Sequence, residues 1–300
     1  MAFAYRNRVS FWVTLRRFDV LTVVGIIYGA VAVGEYSWDH LRLTGTLQLY
    51  AALVALLAFA HVLARRWWMW MGLTLALASG YTYFLHSFAA TCVGNELTTY
   101  CNPSGTYDTL LLGSHMYAGG TLGHDPEGIF GIIGALITAM VGTSAGHLLV
   151  HLRNRRPERV VPALLAWAGA VGVYGVVLEL WVPWIKRLWT PPFGLISAAL
   201  GVAVMAVVYQ IVDARRPAHS EPPPCASPFI ALGRNSLLVY FGSHLLVDVL
   251  ARWGEPSIAV RIAETVTLGL PFPLGFVFLN LAAWWGLSLV LHKFKVYIHA

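Results

Sequence analysis

The sequence predicts an all-α polytopic membrane protein, a bundle of about eight transmembrane helices with both termini in the cytoplasm. Three observations carry this reading. The 300 residues are 58% hydrophobic and only 11% charged, with a mean hydropathy of +0.66, which is too little charge to cover a water-facing surface. Several apolar runs reach roughly 20 residues, the length that takes a helix across about 30 Å of hydrocarbon. The alternating ten-residue segments of a membrane β-barrel are absent.

The spans are expected near 18–34, 43–64, 67–88, 127–150, 160–181, 192–213, 229–250 and 272–292. The first follows a basic N-terminus without a small-residue cleavage site, so it reads as a span rather than a removable signal. Arg65 and Arg66 separate the second from the third. Asp125-Pro126-Glu127 opens the fourth, where Pro126 suits the first turn of a helix and acids complement its positive end. Small residues at Gly128, Gly131, Gly134, Gly142 and Gly146 line one side of that span, for close helix packing or, alternatively, for a ligand-facing wall. A Trp184–Trp189 turn holding Lys186 and Arg187 joins the fifth to the sixth, as an interfacial tryptophan belt or as a site for an anionic or sugar-like group. A polar, proline-rich cytoplasmic linker (214–228, Arg215 to Pro228) with Cys225 precedes the seventh. Gly233-Arg234-Asn235-Ser236 lies at the mouth of the seventh, where Arg234 snorkels to the interface and Asn235 needs a polar partner, as does Asn280 in the eighth. The whole reads as one domain, 1–300, without internal repeats.

Basic residues set the orientation. Arg6, Arg8, Arg16, Arg17, Arg65, Arg66, Arg153, Arg155, Arg156, Arg159, Arg215, Arg216, Arg234, Lys293 and Lys295 fall on one side. Arg42, Lys186, Arg187, Arg252 and Arg261 fall on the other. The crowded side is cytoplasmic by the positive-inside rule, and the net charge of +6 is accounted for without a nucleic-acid partner. The 89–126 loop then faces outward. Its Cys92 and Cys101 either form a disulfide, which an extracytoplasmic compartment permits, or stay as two thiols.

That loop holds most of the chemistry-bearing residues: Asp108, His115, Asp125 and Glu127, with His86 and His124 as further acid/base groups. Asp125 and Glu127 serve either as helix caps or as a polar site. His147 and His151, four apart, lack a third ligand, so no metal site is expected. Phosphate-loop, dinucleotide-binding and serine-elbow patterns are missing. No aspartate, glutamate, lysine or arginine sits near the middle of a span, which disfavours an ion-coupled transporter.

Five ordered blocks resemble a known family. Trp38-Asp39-His40-Leu41-Arg42-Leu43-Thr44-Gly45-Thr46-Leu47-Gln48 resembles W-D-x-[LV]-R-I-P-G-V-L-Q-R. Residues 105–117, from Gly105 through Tyr107-Asp108 to His115 and Tyr117, resemble G-Y-I-D-R-x-x-L-G-x-x-H-x-Y. Asp125-Pro126-Glu127-Gly128 with Gly131 is similar to D-P-E-G-[IL]-x-[GS]. Residues 183–190 are similar to P-x-N-K-x-L-W-[ST], and residues 228–240 to P-F-x-x-x-G-x-N-[SA]-x-x-V-Y. These are the blocks of the heparan-α-glucosaminide N-acetyltransferase family.

The resemblance implies a multispan acyltransferase that takes acetyl from cytoplasmic acetyl-CoA and delivers it to an amino sugar or envelope glycan on the far side. The first reading places the chain in a bacterial-type cytoplasmic membrane and leaves homo-oligomerisation open. Glu127, Asp125, His115 and Asp108 would line the outer mouth, Lys186, Arg187 and Trp189 the acceptor side, and Asn235 with Arg234 the donor path. Family members carry two further spans before this region, with the proposed catalytic histidine in the loop between them, and no position here takes that role. Leu49 stands where the family has arginine and Ile185 where it has asparagine. The expectation is therefore a chain lacking the family's first two core spans. Two other readings stand beside the enzyme: an inactive membrane scaffold or subunit, and a transporter of a lipid-linked sugar.

Overall fold

A computed structural model describes residues 11–33, 37–214, 226–266 and 274–297. Cys225 and most of the linker, including Arg215 and Arg216, lie outside the described residues, as do Arg6 and Arg8. Helices and turns make up the described residues, and no strand occurs among them. The chain divides into two compact units, Met1–Gly29 with Glu35–Arg216, and Ala30–Gly34 with Pro217–Ala300.

The first unit is built from α1 (Phe11–Val33), α2 (Thr46–Leu63), α3 (Trp67–Ala89), a single turn α4 (Thr109–Leu112), α5 (Ile129–Arg153), α6 (Val160–Leu178) and α7 (Pro191–Val212). The start signals act as their residue types dictate. Pro157 opens the 3-10 turn that leads into α6, and Pro191 takes the first position of α7, where a missing N–H is no loss. Helices α3, α5, α6 and α7 share one core, in which Ile137, Val141 and Ala145 of α5 meet Leu164 and Val171 of α6 and Leu195 and Val202 of α7. In lipid no hydrophobic drive holds helices together, so close van der Waals fit must. Small residues supply it. Gly175 of α6 lies so near the Ile196 side chain that an added Cβ would sit 2.8 Å away. A Cβ on Gly134 of α5 would overlap the Trp189 carbonyl. For Gly134 the small-residue stripe is thus a packing device, whereas Gly142 and Gly146 meet nothing within 4 Å.

The second unit contains α8 (Ser227–Arg234), α9 (Ser236–Arg252), α10 (Ile258–Thr265) and α11 (Leu274–Lys293). Trp285 Nε1 donates to the Pro228 carbonyl at 3.2 Å and ties α11 to α8, while Gly242 of α9 lets the Trp284 ring approach. Asn235 is the residue at which α8 and α9 bend by 70°.

Among the described residues, five helices are long and apolar enough to cross a membrane: Thr46–Leu63, Ile129–Arg153, Pro157–Leu178, Pro191–Val212 and Leu274–Lys293. The bent pair Ser227–Arg234 and Ser236–Arg252 would be a sixth. The other two expected spans correspond to α1 and α3, each 23 residues and so about 34 Å long. They are not apolar enough on the same measure, because α1 carries Arg16, Arg17 and Asp19 and α3 is rich in tryptophan, tyrosine and small polar residues.

Candidate functional site

Three stretches remote in sequence converge at one end of the first unit: the segment leading into α2, the turns around α4, and the five residues ahead of α5. The loop between α3 and α5 is braced before it does any chemistry. Cys92 and Cys101 are joined in a disulfide. Asn102, buried at 1% exposure, donates from Nδ2 to the Thr99 and Gly123 carbonyls (2.9 and 3.0 Å) and accepts from the Gly105 amide at 2.8 Å. It therefore pins both ends of the loop to each other.

Arg42 is the centre of the site. Its Nη2 donates to Asp125 Oδ1 at 3.1 Å and to Glu127 Oε2 at 2.7 Å. Its guanidinium carbon stands 4.6 Å from the centre of the Tyr117 ring. Asp125 is saturated with donors. Besides Arg42, Oδ1 accepts from the Glu127 amide (3.0 Å), and Oδ2 accepts from the Tyr117 amide (2.9 Å) and the Thr44 hydroxyl. With no exposed side-chain surface and its acceptor sites engaged, Asp125 organises the three stretches and is closed to a reactant. Glu127 accepts weakly from Thr46 at 3.5 Å and keeps about a fifth of its surface open (22%).

Behind this pair lies a third acid, Asp108. The Asp125 amide donates to Ser104 Oγ at 2.9 Å, and Ser104 donates onward to Asp108 Oδ2 at 2.7 Å. Asp108 sits against the start of α5, where a Cβ on Gly128 would overlap its carboxylate, so only glycine fits there. Burial is the main force on Asp108 and pushes its pKa up to about 6, with the neighbouring Asp125 charge adding to the rise. The Ser104 hydroxyl and the Phe130 and Ile129 amides pull the other way and do not win. Its Oδ1 is buried without a hydrogen-bond partner.

His115 is held by the residues on either side of Arg42. Its Nδ1 lies 2.8 Å from the Leu41 carbonyl, and its own carbonyl accepts from the Leu43 amide at 3.0 Å. A carbonyl only accepts, so Nδ1 carries a proton, and in the neutral ring Nε2 is the nitrogen that bears the lone pair. The half-buried ring packs against Trp38 at 5.6 Å. This corner thus offers a basic nitrogen, a partly open carboxylate, and a guanidinium that fixes the carboxylate's direction.

The remaining expected site residues are elsewhere. Trp189 has a left-handed backbone (φ 48°), a costly conformation for a bulky residue, and its Nε1 donates to Thr138 at 3.1 Å. Its ring packs on Leu49 and Leu53 of α2 and Ala135 of α5. Lys186 and Arg187 are exposed, and neither forms an ion pair among the described residues. In the second unit, Arg234 donates to the Tyr297 hydroxyl at 3.0 Å and lies over its ring, while buried Asn235 donates to the Ala231 carbonyl at 3.2 Å. No cluster of three metal-ligating residues occurs among the described residues. The sequence places Arg42, Thr44 and Tyr117 in the matching blocks without giving them a site role, and it does not mark Asn102 or Ser104 at all. The signal for Arg42 was present: a cation on the side of the chain that holds the Asp125–Glu127 pair.

No family model matches the chain. It is similar to the heparan-alpha-glucosaminide N-acetyltransferase of Homo sapiens, 27% identical over 276 residues that cover 75% of this chain and 41% of that protein. It is similar also to the enzyme of that name from Mus musculus, 27% identical over 158 residues, 48% of this chain and 23% of that protein. The chain thus spans less than half the length of these curated relatives, and the relationship is a distant one.

Proposed function

We propose that this chain is a membrane acyltransferase that moves acetyl from cytoplasmic acetyl-CoA to the amine of an amino sugar or envelope glycan on the opposite face. In this reading it works as a single eight-span domain of a bacterial cytoplasmic membrane with both termini inside. The apolar helices and the distant N-acetyltransferase similarity support the membrane and transfer parts. One observation carries the site: the Arg42, His115 and Asp125–Glu127 blocks, which lie far apart in sequence, meet in one corner with His115 Nε2 left basic.

The chemistry asked of that corner is modest. The acceptor amine nitrogen attacks the thioester carbonyl carbon, the C–N bond forms and the C–S bond breaks. The amine proton passes to His115 Nε2 and from there to the departing CoA sulfur, which leaves as the thiol. Glu127, aimed by Arg42, holds the amine through a charge-assisted hydrogen bond. Asp125 and Asp108 keep the corner assembled. Lys186, Arg187 and Trp189 serve the acceptor side, and Asn235 with Arg234 serves the donor side.

The test is acetyl transfer from radiolabelled acetyl-CoA to glucosamine by the full chain in lipid nanodiscs. His115→Gln and Glu127→Gln, at normal expression and thermal stability, are expected to lose activity about 100-fold or more. Asn235→Ala is expected to raise the KM for the donor. Full activity in both His115→Gln and Glu127→Gln would remove this site assignment.

A further inference from the structure

At the opposite end of α5 from Glu127, the ends of α2, α3 and α5 are fastened by rings. His61 of α2 lies 5.5 Å from His147 of α5 and 6.1 Å from Trp70 of α3. Trp70 stacks on His147 at 5.5 Å, and Trp67 meets His151 at 6.2 Å. Trp67, His147 and His151 of this layer line a pocket of about 570 Å³, together with Trp68 and with Arg65, Arg66 and Arg155. The first two arginines stand in the turn between α2 and α3, and the third follows the last turn of α5.

The charge here is one-sided. No aspartate or glutamate lines the pocket. Both ion pairs among the described residues are made by Arg42, so none of these three guanidinium groups is neutralised by a carboxylate. Helix α3 begins at Trp67, but α2 ends at Leu63 and α5 at Arg153 on the same side, so the positive field here comes from the arginines and not from helix dipoles. Three exposed cations around an aromatic concavity repel one another, and a multiply charged anion relieves that repulsion. Arginine's planar fork pairs bidentately with phosphate oxygens, three guanidinium groups match a multiply charged anion better than a single carboxylate, and tryptophan places the pocket at a lipid–water boundary.

We propose that the Arg65–Arg66–Arg155 pocket is a binding site for a phosphate ester. The phosphate is carried either by an anionic lipid headgroup or by a water-soluble phosphorylated ligand. A scatter of loop arginines that merely obeys the positive-inside rule would show no preference for these three positions over their neighbours. Binding is measured without turnover, so its failure and the failure of the acyl-transfer assignment are separate results.

The experiment uses the full chain in two arms. In the first, pyrophosphate is titrated into detergent-solubilised protein by calorimetry. In the second, phosphatidylglycerol retained from phosphatidylcholine–phosphatidylglycerol nanodiscs is counted by native mass spectrometry. Arg65→Gln and Arg155→Gln are compared with Arg156→Gln, which removes the same charge from the same loop outside the pocket. Loss of one charge-assisted contact is expected to weaken binding roughly tenfold in both pocket variants, with Arg156→Gln near wild type. An effect in the first arm identifies the soluble source, and one in the second identifies the lipid. Equal loss in all three variants, or wild-type binding in both pocket variants, or no retention of either probe, would overturn the proposal.

Discussion

Replacing Arg42 with methionine removes the group on which the candidate site is hung. Methionine keeps most of the aliphatic length, so the change is chiefly the loss of a charge and of three hydrogen bonds, at 3.1 Å to Asp125, 2.7 Å to Glu127 and a long one of 3.4 Å to Thr44. Stripping one partner from a fully buried ion pair costs about 3–5 kcal/mol, because the other charge is left without its counterion. Two features reduce that figure. Arg42 and Glu127 are each about one-fifth exposed (21% and 22%), so water screens that half of the pair. Asp125 has no exposed side-chain surface, yet it keeps two amide donors and the Thr44 hydroxyl. A loss of about 2–3 kcal/mol is expected from these terms together. Most of it should trace to Asp125, so Asp125→Asn placed in the Arg42→Met background should cost far less than Asp125→Asn in the wild type. Reversible unfolding of all four proteins in mixed micelles gives the coupling energy, expected at about 1–2 kcal/mol. If Arg42→Met destabilises by less than about 0.5 kcal/mol, or the cycle shows no coupling, Arg42 is a surface cation and does not hold the site together.

Two more outcomes follow from the same geometry. Native Asp108 holds its proton up to about pH 6 while the unfolded chain releases it near 3.8, so the native state binds more protons between those values. Stability should therefore fall as pH rises through that window and level off above it, and Asp108→Asn should flatten the slope in melts recorded across it. Gly134→Ala would drive a Cβ into the Trp189 carbonyl, with an expected cost of about 1–3 kcal/mol and a shifted tryptophan emission spectrum, whereas Gly142→Ala should be silent in both measurements.

The helical class was legible because hydropathy is a local property: long apolar runs with few charges give the same answer residue by residue, wherever the chain then goes. Some boundaries lie close, with the fourth span expected from 127 and α5 beginning at Ile129, but α1 starts at Phe11 instead of 18, and the seventh expected span is bent by 70° at Asn235. The count of spans was less legible. Arg16, Arg17 and Asp19 in α1, and the polar and aromatic content of α3, blur the distinction between a span and a bundle helix. The acids of the site could be named from their position at the mouth of a span, but their roles could not. Asp125 and Glu127 look equivalent in sequence. One is walled in by the Arg42 guanidinium, the Thr44 hydroxyl and two amides, and the other retains an open edge.

What the residues alone determined is the solvent this chain is made for: its composition and run lengths demand helices in lipid, and its loop carries the groups that can do polar chemistry. Which of those groups face each other was decided only by tertiary structure. Arg42 is 83 residues from Asp125 and 85 from Glu127, and no local periodicity reports on a pairing across that distance. It arises because helix packing brings the segment ahead of α2 to the start of α5. There a carboxylate removed from water must find donors, and the nearest cation able to reach it is Arg42.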